Sequence, residues 1–255
     1  MSSTYLKFLS RNKLYTFIEV FGLSVALGFV ILLASYAKTE FSVGAKQPLS
    51  KQLYVVGAGD SFGMTLGTSE EFFPSIPEIK GWTRICFVGT ADIMVGDDYY
   101  RAAEVSIDTN FFKFFDYRLT GCLKDKVLEN EDEVILSESF AKKVFGNEDP
   151  IGRILSVDKS KWTVVGVVED FGPVDVFEHC DVFTSIKRAQ KRFAWMDNFG
   201  NTVPIVRLDE GTDVEKVRED LLKKYLGYWN FYKADNSDNA FLWGASVTRL
   251  DKVYF

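Results

Sequence analysis

The stretch from Leu14 to Ala37 constrains this chain more than any other part of its sequence. Val20 to Ala37 are eighteen residues without a charge, and Leu14 to Phe17 extend the apolar run if Glu19 is tolerated. A helix needs about 20 mostly apolar residues to cross a bilayer, at roughly 1.5 Å per residue. We therefore predict a transmembrane helix over residues 14–37, preceded by a short N-terminal segment.

A cleaved signal peptide is the alternative for this stretch. Basic residues precede it at Lys7, Arg11 and Lys13, and it ends with small residues at Ser35 and Ala37 that a signal peptidase accepts. Its apolar run exceeds the roughly 7–15 residues usual for the core of a signal peptide, which favours a retained helix. Three lysines also follow the stretch, so the Lys and Arg count does not set its orientation.

The rest of the chain is acidic. Because residues 1–38 carry a net charge of +3 and the whole chain carries −6, residues 39–255 carry −9. A net negative charge argues against nucleic acid and against an anionic membrane surface as partners. These 217 residues suffice for one domain or for two small ones.

Cysteine and histidine usage argues against a metal site. The three cysteines are Cys86, Cys122 and Cys180, no two of them form a CxxC pair, and His179 is the sole histidine. Structural zinc sites need clustered Cys and His ligands, which this sequence lacks. Three thiols allow at most one disulfide, and their spacing does not choose the pair.

No motif in the sequence predicts catalysis. The glycines of "GAGDSFG" (57–63) suggest a dinucleotide-binding loop, but no helix is predicted to begin before about Ser69, as that fingerprint requires. No Walker A sequence occurs. Ser137 and Ser139 have no base positioned beside them and are interpreted as helix-start residues. We predict no catalytic residue, no cofactor and no metal, and hence no enzyme activity.

The order of predicted elements indicates an α+β domain with an insertion. Strand–helix–strand order occurs near 52–89, where "RICFVG" and "DIMVG" are β-type runs, and again near 203–248, where Thr212 and Glu215 form a T-x-x-E capping box. The intervening module includes a helix capped by Ser137 and ended by Gly146. Two such units commonly share one sheet, so we predict one split lobe with a second lobe inserted.

Small residues in the predicted helix suggest contact with a second membrane helix. Gly22 and Ala26 form one small-xxx-small pair, and Ser24 and Gly28 form another. Small residues let helices approach closely in lipid, although Gly and Ala are also common in membrane helices that act as bare anchors. Glu19 lies roughly 7 Å from the start of the stretch. It is interpreted either as an interfacial acid or as the partner of a donor on that second helix.

Four segments in order resemble FtsX-like ABC transporter permeases, and among them MacB-like permeases of the kind abundant in Bacteroidota. The segments are "NKLYTFIEVFGLSVALG" (12–28), "VSIDTNFFKFFDYRLTGC" (105–122), "VILSESFAKKVFGNEDPIGRIL" (134–155) and "WTVVGVVEDF" (162–171). Each alone is weak, but their shared order and spacing is specific.

The resemblance implies a first membrane helix followed by a periplasmic core domain. The implied parts are a cytoplasmic segment (1–13), the helix (14–37), a stem (38–51), a porter-like lobe (52–112 and 198–255) and an inserted sabre-like lobe (113–197). Such permeases lie in the bacterial inner membrane with the N-terminus in the cytoplasm. They pair with a separate ABC ATPase, usually dimerise, and work by efflux or by mechanical action on a periplasmic partner.

Two features depart from that family pattern. The chain stops at "VTRLDKVYF", near where a second membrane helix would begin, so we expect a fragment of a four-helix permease or a truncated gene product. Glu19 stands where an uncharged polar residue would be more typical. The rival hypothesis is a single-span anchored or secreted sensor or binding module that needs no ATPase.

Overall fold

The computed structural model describes residues 13–40, 47–58, 67–157, 160–171, 179–192, 202–232 and 245–253. The chain divides into two compact units, Met1–Ser42 and Val43–Phe255. Residues 59–63 of the glycine-rich segment and residues 233–244, which precede the last described strand, lie outside the described residues.

The first unit contains helix α1, Lys13–Glu40. The predicted segment 14–37 lies wholly within it. The part from Lys13 to Lys38 is long and apolar enough to cross a membrane, and its most apolar window is not buried by any part of the protein. Large apolar side chains such as Leu23 and Leu32 are about two-thirds exposed or more, as expected of a helix whose natural surroundings are not water.

The second unit is built on a ten-stranded sheet with helices α2 to α5. The strands are β1 (Leu53–Ala58), β2 (Ile79–Val95), β3 (Asp98–Ile107), β4 (Leu119–Thr120), β5 (Glu133–Ser137), β6 (Ile154–Val157), β7 (Ser160–Val168), β8 (Val182–Ser185), β9 (Thr202–Leu208) and β10 (Ala245–Arg249). The helices are α2 (Thr68–Phe72), α3 (Glu138–Phe145), α4 (Ile186–Arg192) and α5 (Val214–Tyr232).

The sheet runs in the order β10-β1-β9-β2-β3-β8-β5-β7-β4, with β6 paired to both β2 and β7. Most neighbours are antiparallel, but β3–β8 and β5–β7 are parallel. Parallel and antiparallel pairs in one sheet with helices between the strands make this an α+β domain, which confirms the predicted fold class.

One face of the sheet is covered by a cluster of phenylalanines. A short 3-10 turn, Phe111–Lys113, follows β3 and turns its rings onto Ile85, Val105 and Phe183. Phe111 stacks on Phe115 with ring centroids 4.7 Å apart. We call this apolar group the phenylalanine core. Rings of this size bury enough apolar area to anchor one side of a sheet.

The other face carries the helices, and we call it the helix face. Strand alternation places β1, β2 and β9 residues such as Val56 and Val206 against Leu221 of α5. At the far end of the same face, Phe140 of α3 packs with Trp162 of β7 in a second cluster. We call these clusters the α5 core and the α3 core.

Of the two predicted helix N-caps, one is confirmed and one is wrong. The Ser137 cap is confirmed, since its hydroxyl accepts from the Phe140 N–H and Gly146 follows the helix with φ of 63°. The capping box at Thr212 is wrong. Asp213 Oδ1 accepts from the Glu215 and Lys216 N–H groups, because the Thr212 hydroxyl instead donates to the Asp209 carbonyl within the preceding turn.

Candidate functional site beneath helix α4

Strands β2 and β3 form one long antiparallel ribbon that passes from the α5 side of the sheet to the α3 side. Trp82 packs against the α5 core, whereas Ile93 belongs to the α3 core. The pairing shifts register between Phe87 and Gly89, and Gly89 adopts φ of 109°. Such a bulge interrupts the hydrogen-bond ladder and bends the strand locally. The two predicted runs "RICFVG" and "DIMVG" are therefore one strand with a bulge inside it.

The helix face of β3 is polar along this ribbon. Glu104 and Ser106 of the strand and Asp108 directly after it occupy alternate positions, and each is at most 9% exposed. A buried face of this kind is normally apolar, because an unpaired buried polar group costs free energy. These residues, with Arg84 of β2 and Thr184 of β8, form what we call the polar track.

Arg84 anchors one end of the polar track. Its guanidinium donates two hydrogen bonds to the Asp108 carboxylate, at 3.0 and 2.8 Å, and its Nη1 lies 2.8 Å from Glu70 Oε1 of α2. The guanidinium also lies 5.0 Å from the ring centroid of Trp82. Burial works against the charge of Arg84, but the two carboxylates outweigh it and raise the guanidinium pKa. This end is therefore a satisfied buried ion pair.

Glu104 forms the other end, opposite the bulge, and is less well satisfied. The Thr184 hydroxyl donates to its Oε1 at 3.0 Å and lies 2.7 Å from the Ser106 hydroxyl. Its two cations, Arg188 Nε and Arg192 Nη1 of α4, are at 3.8 and 3.6 Å. These separations exceed a good hydrogen bond. Burial is the largest influence and raises the pKa of Glu104, while its hydrogen bond and the arginines oppose it.

Helix α4 lies over the polar track and closes it from solvent. The Arg188 guanidinium lies 4.4 Å from the ring centroid of Trp162, so the helix touches the α3 core. Its apolar side, Ile186 and Ala189, packs on Cys86 of β2. Burial raises the pKa of the Cys86 thiol to about 11, so this cysteine remains protonated.

Chemically, the polar track consists of hydroxyls and charged groups that pair with one another beneath α4. Cys86, Cys122 and Cys180 are free thiols. Among the described residues, no group of three or more His, Cys, Asp or Glu side chains could hold a metal ion. The polar track is suited to holding two parts of the sheet in a fixed relative position, because it lies where the β2–β3 ribbon bends at the bulge and where α4 packs on the ribbon.

The polar track has a signal in the sequence that is independent of the order of the predicted elements. In "AEVSID" of β3, polar and apolar residues alternate, which ordinarily indicates a strand with one solvated face. The structure instead buries that polar face beneath α4. Only the long-range placement of α4 distinguishes the two cases.

The predicted helix-packing residues lie on two faces of α1. Since successive residues are about 100° apart on a helix, Glu19, Gly22 and Ala26 fall within about 60° of one another. Ser24 and Gly28 lie on the opposite face. The Ser24 hydroxyl donates back to the Val20 carbonyl at 2.7 Å.

Two surface clefts lie beside the loop that joins α3 to β6. One has a volume of about 490 Å³ and is lined by Val95, Phe145 and Ile154, with Glu148 and Arg153 at its rim. The other, of about 430 Å³, is lined by residues of the same loop together with Thr120, Ala141 and Val167. Both are open grooves at the surface rather than enclosed chambers.

Comparison with known proteins defines the class. The model of the MacB-like periplasmic core domain matches residues 16–224, and the chain belongs to that family. The domain is the extracytoplasmic part of an ABC-type transporter permease, a component that is not itself an enzyme. No curated protein matches the chain.

Solved structures share the fold at low sequence identity. A domain of a protein described as a permease from Porphyromonas gingivalis superposes with TM-score 0.64 at 22% identity, covering 80% of this chain and 93% of that one. The periplasmic region of MacB from Actinobacillus actinomycetemcomitans gives 0.58 at 15% identity, with 80% and 91% covered. The extracellular domain of the noncanonic ABC-type transporter YknZ from Gram-positive bacteria gives 0.55 at 11% identity, with 77% and 99% covered.

Proposed function

We propose that this chain is the first membrane helix and periplasmic core of a MacB-type permease whose domain moves when a separate ABC ATPase hydrolyses ATP. The observation that carries the proposal is the family match, which runs through most of α1 and on to α5. The helix and the domain are therefore matched together, as a membrane-anchored unit.

The topology of the domain supports a role in transmitting movement. β1 and β10 are the first and last strands of the part of the chain that the structure describes, and they are neighbours, with Tyr54 opposite Arg249. A displacement applied to β1 from the segment that follows α1 thus acts near one edge of the sheet. The β2–β3 ribbon carries it toward the α3 core.

We also propose that α1 packs against a second membrane helix. Glu19, Gly22 and Ala26 share a face, so a close approach at the glycine would bring a donor on the second helix within reach of the acid. Ser24 and Gly28 offer a second face, as a homodimer or a paired permease would need.

The proposed location is the bacterial inner membrane, with residues 1–13 in the cytoplasm and the bulk of the chain in the periplasm. The proposed lobes are residues 52–112 with 198–255, and residues 113–197. The second lobe is the surface that we assign to a periplasmic partner or substrate, because most of the residues that line the two clefts belong to it.

A single-span sensor is the competing function, either anchored or secreted. A sensor of small molecules needs a pocket that encloses most of its ligand. The two clefts beside the loop between α3 and β6, of about 490 and 430 Å³, are open to solvent and do not enclose a ligand in this way.

The proposal is tested by spin-labelling Lys223 on α5 and Lys142 on α3 in the native complex. We expect the distance between the labels to change between the nucleotide-free state and a state trapped after hydrolysis. A pair placed within one core, at Lys223 and Lys216 of α5, is the control and should not change. An unchanged distance in both pairs would refute ATP-driven movement.

A further inference from the structure

Among the described residues, helix α4 packs on the domain through a small apolar contact. Ile186 and Ala189 are its buried apolar residues, and they pack with Cys86 and the partly buried Val88. By contrast, α3 buries Phe140 in a core of a dozen residues. Elements that bury little apolar surface open locally at lower free energy than the rest of a fold.

Polar contacts attach α4 to three separate parts of the domain. Arg188 and Arg192 face Glu104 of the ribbon at 3.8 and 3.6 Å. The Gln190 amide donates to Glu70 of α2 at 3.0 Å.

The third attachment is to the loop before β5. Lys191 Nζ lies 2.6 Å from Glu131 Oε1. Lys187 Nζ donates to the Glu129 carbonyl at 3.0 Å. Both lysines are exposed, and exposed ion pairs are individually weak.

Helix α4 lies at the bulge, where the hydrogen-bond ladder of the β2–β3 ribbon is interrupted. Glu104 pairs with Gly89 directly at the bulge, so the cations of α4 reach the residue opposite the register shift. Val88, within the bulge, packs under the same helix. Helix α4 therefore touches the α3 core, where Arg188 lies over Trp162. It also reaches α2 through Gln190, and Phe72 of α2 belongs to the α5 core.

We propose that α4 is a releasable clasp that holds the β2–β3 ribbon at one curvature. When α4 lifts, the ribbon bends at the Gly89 bulge and the α3 core moves relative to the α5 core. This inference deepens the proposed function, because it identifies the element that must open for the domain to move. Many weak contacts and a small apolar base suit an element that detaches and returns.

The test is hydrogen exchange of the full chain in lipid nanodiscs, read by mass spectrometry. In the wild-type chain, peptides covering α4 and the bulge (residues 86–92) should exchange through local opening, faster than α3. The double substitution Gln190→Ala/Lys191→Ala removes the attachments to α2 and to the loop. We expect it to speed exchange about two- to fivefold at α4 and at the bulge, and to leave α3 unchanged.

Lys223→Ala is the matched control, since it breaks an exposed ion pair with Asp220 (2.9 Å) on α5. It should leave exchange at α4 and at the bulge unchanged. Arg192→Gln, which removes one cation from Glu104, provides a second variant and should act like the double substitution.

The clasp is refuted if α4, the bulge and α3 exchange at one common rate, or if the double substitution speeds all three equally. The measurement needs no ATPase. It can therefore fail while the labels on α5 and α3 still respond to nucleotide, or succeed while they do not, which separates the clasp from the proposed function.

Discussion

Removing Asp108 tests whether the polar track is as tightly paired as its geometry indicates. Asp108→Ala deletes the acceptor of two guanidinium bonds and of the Arg84 N–H, which donates to Asp108 Oδ2 at 2.7 Å. The side chain of Arg84 is only 3% exposed, so its charge is left largely inside the protein.

The magnitude follows from the cost of leaving a buried charge without its partner. Breaking a buried ion pair from one side costs about 3–5 kcal/mol. Because Glu70 still lies 2.8 Å from Arg84, we expect the lower end, about 3 kcal/mol. For a domain of this size, that corresponds to a loss of about 6–12 °C in melting temperature.

Thermal unfolding followed by circular dichroism measures this loss. The double variant Arg84→Met/Asp108→Leu should be more stable than Asp108→Ala, since it removes both buried charges and replaces them with apolar groups. Asp220→Ala, which removes an exposed pair on α5, should leave the melting temperature nearly unchanged. A loss below about 1 kcal/mol for Asp108→Ala would refute the account of this pair.

Three further predictions concern single residues. Because burial raises the pKa of Glu104, the folded chain binds its proton more tightly than the unfolded chain, so this stabilisation is present at acid pH and lost as pH rises through the raised pKa. The melting temperature of the wild-type chain relative to Glu104→Gln should therefore increase as the pH is lowered toward the ordinary range of a carboxyl group. Gly121→Ala should destabilise the chain more than Gly152→Ala in urea unfolding, because both have positive φ but only at Gly121 would a Cβ lie 2.7 Å from the Val165 carbonyl oxygen. Cys86 should react with maleimide much more slowly in the folded chain than in the unfolded chain, since its thiol is buried beneath α4 and its pKa is about 11, and equal rates would contradict the packing of α4.

Features set by local chemistry could be predicted from the sequence. The uninterrupted apolar run predicts α1, since few other structures accommodate so many adjacent apolar residues. Ser137 and Gly146 bound α3 as expected, because capping depends on a few neighbouring backbone groups. The alternation of β-type and helical segments indicated the α+β class before any contact was known.

Features decided by distant contacts could not be predicted. Thr212 and Asp213 are both good N-caps, and the turn at Asp209 decides between them by engaging the threonine hydroxyl. Gly89 looks like a strand break in the sequence, yet its partner strand continues opposite it and makes it a bulge. The polar face of β3 is buried only because α4 returns to it about eighty residues later, as the 80-residue separation of the Thr184–Glu104 hydrogen bond illustrates.

The central claim is that this chain works as the permease part of an ABC transporter. Its most direct test is to isolate the native protein from membranes of the source cells with an antibody against residues 52–255, in mild detergent, and to identify what accompanies it. The account predicts a membrane complex that contains an ABC ATPase subunit and hydrolyses ATP. A species with no ATPase, whether in the membrane or released into the soluble periplasmic fraction, would contradict it and establish the anchored or secreted binding module instead.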